Sequence, residues 1–247
     1  MSIESKEDLK GLRQVGKIVG LALREIQGNV RPGVTTAEID EICARILKGH
    51  GARSAPMLFY RFPAAICISI NDEAIHGIPG ERIIQAGDLV KLDVTAEKDG
   101  YIADAAITVA VPPVSDKKRR LIECAKRAFY KAMSVIRAGR RVRDIGRAVE
   151  NEVTRSGFVV IRELAGHGVG RAIHEEPIVP NYFDFRHGKP LTNGLVITVE
   201  PIIAAGSGRA FQAEDGWTVK TADGSLSAHY EHTIVVTKSY PVLLTAA

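Results

Sequence analysis

The chain has 247 residues, 45% of them hydrophobic and 25% charged, which is enough to bury one large core within a single domain. Its 33 Lys and Arg against 29 Asp and Glu leave a modest net charge of +4, its N-terminus is polar and acidic, and no stretch approaches the roughly 20 apolar residues a membrane span needs. Cys43, Cys67 and Cys124 are too few and too scattered for a disulfide framework or a structural zinc site, so they read as packing residues of a soluble, cytoplasmic protein.

Taken in chain order, Leu9, Leu12, Val15, Val19, Leu23 and Ile26 recur at helical spacing and predict an amphipathic helix closed near Gly28-Asn29. A second helix is expected from about Thr36 to Lys48. Strands are expected around Ala65–Ile70, Asp88–Glu97 and Gly100–Val111, with Lys98-Asp99-Gly100 turning the last two into a hairpin. Two further helices, about Asp116–Arg137 and Val142–Ser156, mirror the first pair. Strands near Phe158–Leu164, Leu195–Ile203, Gly216–Thr221 and His229–Thr237 complete the chain.

Asp93, Asp104, His167, Glu200 and Glu231 each lie in or beside one of the apolar, strand-like runs. A carboxylate inside a sheet costs several kcal/mol unless a positive charge sits against it, and no basic residue is expected to neutralise these from within the runs. A metal cluster answers the problem. Four carboxylates balance two divalent ions, with His167 as a neutral nitrogen ligand, and five side chains can serve two ions only if some carboxylates bridge.

The chain also repeats itself. Arg31, Gly33, Ile39 and Gly51 match Arg137, Gly139, Ile145 and Gly157 at a constant offset of 106 residues, and Gly87 with Asp93 matches Gly194 with Glu200 at an offset of 107. Ile75-His76-x-x-Pro79 echoes Ile173-His174-x-x-Pro177. This predicts one domain, residues 1–247, built of two pseudo-equivalent α/β halves, about 1–112 and 113–247, that face each other across the metals. Two basic clusters, Lys117 to Arg120 and Arg137 to Arg143, read either as solvated helix ends or as an RNA-facing patch.

On Ser69-Ile-Asn71 with His76-Gly-Ile-Pro79, Asp93-Val-Thr with Asp104, Gly166-His-Gly-Val-Gly170 with His174-Glu-Glu-Pro177, Thr198-Val-Glu-Pro201, and Asp215-Gly-Trp-Thr218 with Glu231-His-Thr233, nearly the whole chain resembles the bacterial type I methionine aminopeptidases. Those enzymes belong to the pita-bread metallopeptidases, which also include prolidases. The resemblance implies an α+β pita-bread fold with an antiparallel curved sheet and outer helices. It places metal ligands on the same five residues, holding two divalent ions of Co, Mn, Fe or Zn, with Glu200 acting also as general base. It implies that His76 contacts the substrate near the scissile nitrogen and His174 near the carbonyl oxygen. Phe59, Phe62, Cys67 and Trp217 match positions of the methionine pocket, with Tyr60 and Tyr101 expected nearby. Departures fall at Pro56, Phe62 and Ile173, where the family commonly has Cys, Tyr and Phe, and at His229, where Gln is usual; the last is expected at the pocket's rim. The implied activity is removal of the initiator methionine from nascent chains with a free amine and a small second residue, by a monomer that could touch the ribosome through its basic clusters. A prolidase would keep the five ligands but usually carries an extra N-terminal domain, and a non-catalytic binding relative would have lost ligands.

Overall fold

The computed structural model describes residues 1–246. Its helices are α1 (Lys6–Gln27), α2 (Thr36–Gly49), α3 (Ala55–Tyr60), α4 (Asp116–Val135) and α5 (Val142–Arg155). The strands are β1 (Arg53–Ser54), β2 (Cys67–Ile70), β3 (Glu73–Ile75), β4 (Leu89–Lys98), β5 (Tyr101–Ala110), β6 (Val159–Val160), β7 (Ala165–Gly168), β8 (Glu175–Pro180), β9 (Val196–Val199), β10 (Ile202–Ala204), β11 (Ala210–Gln212), β12 (Val219–Thr221), β13 (Ser227–His229), β14 (Glu231–Val235) and β15 (Val242–Leu243). No helix among the described residues is long and apolar enough to cross a membrane.

The helices start where the sequence offers caps. Ser5 and Asp8 close a capping box on α1, as Thr35 and Glu38 do on α2, each satisfying backbone donors that the first turn leaves unpaired. At the corresponding position before α5, the Asp144 carboxylate accepts from the Arg141 amide. The connections entering α2 and α5 turn on Gly33 and Gly139, with φ of +90° and +91°. A Cβ at either would meet nothing within 4 Å, so it is backbone conformation and not space that calls for glycine there.

The main sheet runs β1-β4-β5-β14-β9-β7-β8, with β2 added beside β4 and β15 beside β14, and its pairings are antiparallel. The α+β expectation of an antiparallel sheet with outer helices is met. One apolar core lies under α1 and α2, built from Val15, Val19, Ile39, Ile68, Leu92 and their neighbours; another lies under α4 and α5, around Phe129, Val149 and Val199. Pairing of β5 with β14, Ala106 opposite Glu231, joins the two sides.

Two runs expected to be continuous strands are each broken. The run around Leu195–Ile203 stops at Glu200-Pro201, so that β9 stays in the main sheet while β10 joins a separate sheet ordered β13-β10-β6. The His229–Thr237 run likewise breaks at Tyr230, with β13 in the small sheet and β14 in the large one. Proline explains the first break, since it has no amide to donate to a ladder. The Tyr230 amide bonds Pro201 O across the two breaks. Glu200 and Glu231 therefore sit where two neighbouring strands change sheet. The Phe158–Leu164 run is shorter than expected, with only Val159–Val160 paired before β7 begins at Ala165.

Candidate metal centre and active site

The β4–β5 hairpin turns on Asp99 and Gly100, both in the left-handed region at φ 52° and 80°, as a tight two-residue turn requires. Its register sets Asp93 opposite Ala106 and Thr95 opposite Asp104. Residues directly opposite share a face, so the two aspartates are diagonal neighbours on one side of the sheet. Glu231, opposite Ala106 on β14, extends the same face, and Glu200 follows the end of β9 beside it. From β7 comes His167.

Threonines set these side chains. Thr95 Oγ1 donates to Asp104 Oδ1 at 2.9 Å, and Thr198 Oγ1 donates to Glu200 Oε1 at 2.6 Å while accepting from the His167 amide at 3.0 Å. Thr233 holds the Asp104 backbone at both its N and O, each at 2.8 Å. His167 Nδ1 lies 2.9 Å from Gly168 O, a carbonyl that can only accept, so the ring proton sits on Nδ1. The lone pair is left on Nε2, 3.5 Å from Glu200 Oε1.

These residues form the floor of a cleft of about 640 Å³ whose lining contains no Lys or Arg. Burial and then mutual repulsion raise the carboxyl pKa values: Glu200 to about 8, Asp93 and Glu231 well above the ordinary range. Asp104, raised to about 6 by burial, is held back by its bonds to Thr95 and Asp93. Burial and the neighbouring His174 lower His167 to about 4, keeping it neutral. Asp93 Oδ1 and Glu231 Oε1 are buried without a hydrogen-bond partner among the described residues. Donor atoms of Asp104, His167 and Glu231 lie within 4.8 Å of one another, as do those of Asp93, His229 and Glu231. Mutually repelling carboxylates, two of them with a partnerless oxygen, together with a neutral imidazole fit divalent cations, and the mixed oxygen and nitrogen donors suit first-row transition metals.

His76 and His174 stand on the cleft wall. His76 has φ 58°, unusual for a residue with a side chain, and burial followed by the nearby His174 lowers its pKa to about 4. His174 Nδ1 is 2.7 Å from Tyr60 Oη, and its ring stacks on Tyr60 and lies 4.3 Å from that of His167. Phe62 and Trp217 meet edge to face at 5.2 Å and pack with Cys67, beside the floor.

Several expectations need correction. Phe59 is 49% exposed and does not line the cleft; its neighbour Tyr60 does. Tyr101 lies away from it, bonded to Asp8 and covered by the Arg171 guanidinium. Pro56 and Ile173 line the cleft, but His229 belongs to the floor and not to the rim, 2% exposed with its Nε2 3.2 Å from Glu231 Oε2. The run around Asp93 also contains a buried cation. Lys91, 1% exposed, donates to Asn71 O at 2.8 Å and Ser227 Oγ at 3.1 Å and does not enter the lining of the cleft, although its charge is felt by the neighbouring His229. In the basic clusters, Lys118 bonds Gly87 O, Arg120 bonds Ser156 O, and Arg141 and Arg143 bond the 185–188 loop.

Residues 10–238 match the profile of metallopeptidase family M24. The chain is 42% identical to methionine aminopeptidase 2 of Bacillus subtilis (strain 168) and 41% identical to a methionine aminopeptidase of Aquifex aeolicus (strain VF5), covering 99% of both chains in each case. Its structure superposes on that of a methionine aminopeptidase from Thermotoga maritima with a TM-score of 0.97 at 34% identity, over the full length of both. Fold and donor set thus define a metal-dependent peptidase of the pita-bread type. The chain belongs to metallopeptidase family M24, on its methionine aminopeptidase branch.

Proposed function

We propose that the chain removes the initiator methionine from nascent proteins whose amine is free and whose second residue is small, using two divalent ions held by Asp93, Asp104, His167, Glu200 and Glu231. The observation that carries this reading is an acidic floor in a cleft lined by no Lys or Arg, set beside an apolar wall of Phe62, Cys67 and Trp217. Bound there, the ions would polarise the scissile carbonyl and lower the pKa of water toward neutrality.

The chain's own groups supply the rest. Glu200, held on its Oε1 by Thr198, takes up a proton as general base. Tyr60, whose hydroxyl stays protonated because burial raises its pKa, can donate to His174 Nδ1, an arrangement that puts the proton of the neutral ring on Nε2. That nitrogen can then donate toward a carbonyl oxygen where charge develops. Neutral His76 donates near the scissile nitrogen. Phe62 and Trp217 offer crossed aromatic faces to a flexible thioether, while Cys67, a thiol that burial holds protonated, acts as a small apolar wall. Residues 1–112 and 113–247 act as two halves of one catalytic domain, working as a cytoplasmic monomer. The basic residues not used within the fold are available for ribosome contact.

A free amine near the acidic floor and a side chain in the apolar pocket leave the second residue at the rim, where bulk displaces the carbonyl; misplacement by about 1 Å can cost about 10²-fold in rate. Purified protein loaded with Co(II) or Mn(II) should therefore cut Met-Ala-Ser and Met-Gly-Ser well and Met-Phe-Ser, formyl-Met-Ala-Ser and Ala-Pro peptides hardly at all. Comparable kcat/KM for Met-Ala-Ser and Met-Phe-Ser, or efficient cleavage of the formylated peptide, would show the reading to be wrong.

A further inference from the structure

His229 is the third residue of β13, and its backbone is clamped on both sides by one hydroxyl: its amide donates to Thr108 Oγ1 at 2.9 Å, and Thr108 donates back to His229 O at 2.8 Å. Pairing with Ile202 fixes the strand's register. The ring is thereby directed into the acidic floor, with Nε2 3.2 Å from Glu231 Oε2 and 4.0 Å from Glu200 Oε2. Both ring nitrogens are buried and neither has a hydrogen-bond partner among the described residues. A buried, unpaired imidazole is costly, and a lone pair facing a carboxylate oxygen is repelled unless something positive lies between them.

Asp93 Oδ1 and Glu231 Oε1 are partnerless in the same place, and donor atoms of Asp93, His229 and Glu231 lie within 4.8 Å of one another. Asp104, His167 and Glu231 make a separate group of the same size, sharing Glu231. Each group thus contains one imidazole.

We propose that His229 is a sixth protein ligand of the centre, giving a nitrogen donor to the ion that Asp93 and Glu231 would hold; this rests on the two-ion reading above. Gln usually stands at this position in the family the sequence resembles, and an amide would be a weaker donor than imidazole. Carboxylates suit Mn(II), whereas imidazole suits Fe, Ni and Zn, so His229 tilts this position toward the later ions. The competing account is a protonated His229 paired directly with Glu231, with no role in binding.

The test compares EDTA-stripped wild type with His229→Gln, titrated with Co(II) and with Mn(II) by calorimetry under nitrogen, with visible spectra of the cobalt forms. Wild type should take up two equivalents of cobalt. In His229→Gln one equivalent should keep its Kd, the other should weaken by about 10–100-fold, and the Mn(II) isotherm should change far less. X-ray absorption on the dicobalt wild type, which does not depend on how any variant folds, should count one imidazole per cobalt. Unchanged cobalt affinities and spectrum in His229→Gln, or half an imidazole per cobalt in the wild type, would overturn the proposal. One cobalt per chain carrying two imidazoles would instead sink the two-ion reading while upholding His229 as a ligand.

Discussion

Lys91 and Asp93 stand two residues apart on the same face of β4, Lys91 fully buried and Asp93 half-buried at the cleft with its Oδ1 shielded from solvent, yet the fold treats their charges in opposite ways. Lys91 receives its partners from the protein: Asn71 O, Ser227 Oγ and, at 3.5 Å, Ser227 O surround the ammonium. Burial lowers its pKa to about 7, and those oxygens offset part of the cost of the charge. Asp93 has a partnerless Oδ1 and three other carboxylates around it. A buried charge with internal partners is architecture. One whose partners are all of its own sign marks a place for an external ion, and the two kinds should respond differently to mutation, to chelation and to pH.

The largest effect is expected from the acidic pole. Asp104→Asn removes a charge that the proposed ions would need and should lower kcat by about 10³-fold, the several kcal/mol that a polarising ion supplies, with little change in fold. Retention of more than about a tenth of wild-type kcat with full metal occupancy would sink the ligand assignment. His76→Ala, which leaves the acidic floor intact, should cost about 10²-fold in kcat, the scale of a positioned donor. Metal content measured on the same sample should stay normal; loss of one equivalent would make His76 a ligand.

Stability should separate the poles next. The Glu200 pKa is raised from an ordinary 4.5 to about 8 in the fold, while His76 and His167, lowered from 6.5 to about 4, act in the opposite sense below pH 6.5, so the folded metal-free protein binds more protons than the unfolded chain between about pH 6.5 and pH 8. Its unfolding free energy therefore falls as pH rises through that window. Thermal melting of chelator-stripped protein should drop between about pH 6.5 and pH 8, whereas ions that hold the carboxylates ionised should abolish the slope; parallel slopes with and without metal would refute this. Lys91→Met strands the oxygens that held the ammonium and should lower Tm by about 5–10 °C. Metal content and kcat should stay near normal, since Lys91 does not line the cleft, and an unchanged Tm would count against the architectural role. The smallest effect should come from Phe59→Ala, within about twofold in kcat/KM because an exposed ring off the pocket contributes little, against a loss of about tenfold or more for buried Phe62→Ala.

The acidic residues of the floor were legible because a carboxylate in an apolar strand is anomalous wherever it falls, and the helix pairs because capping residues and apolar spacing are local. Lys91 was not legible as a buried cation, since a lysine in an alternating run normally reaches water and the oxygens that hold it lie 20 and 136 residues away. His229 looked like a rim residue for the same reason: nothing near it in sequence reveals that β13 changes sheet just before Glu231. Phe59 and Tyr60 could not be told apart as pocket residues because they are neighbours on the short α3, where one residue of rotation decides which ring meets His174.

The breaks at Glu200-Pro201 and Tyr230 also bear on how the molecule comes into being. Strand β14, late in the chain, is inserted between β5 and β9, and the adjoining β13 brings His229. A copy leaving the ribosome N-terminal end first presents Asp93 and Asp104 long before Glu231 exists. Until the final strands arrive, the incomplete hairpin lacks both the shared carboxylate and the wall of the cleft. A half-made copy is therefore a latent one, and peptidase competence waits until β13 and β14 have been made and inserted.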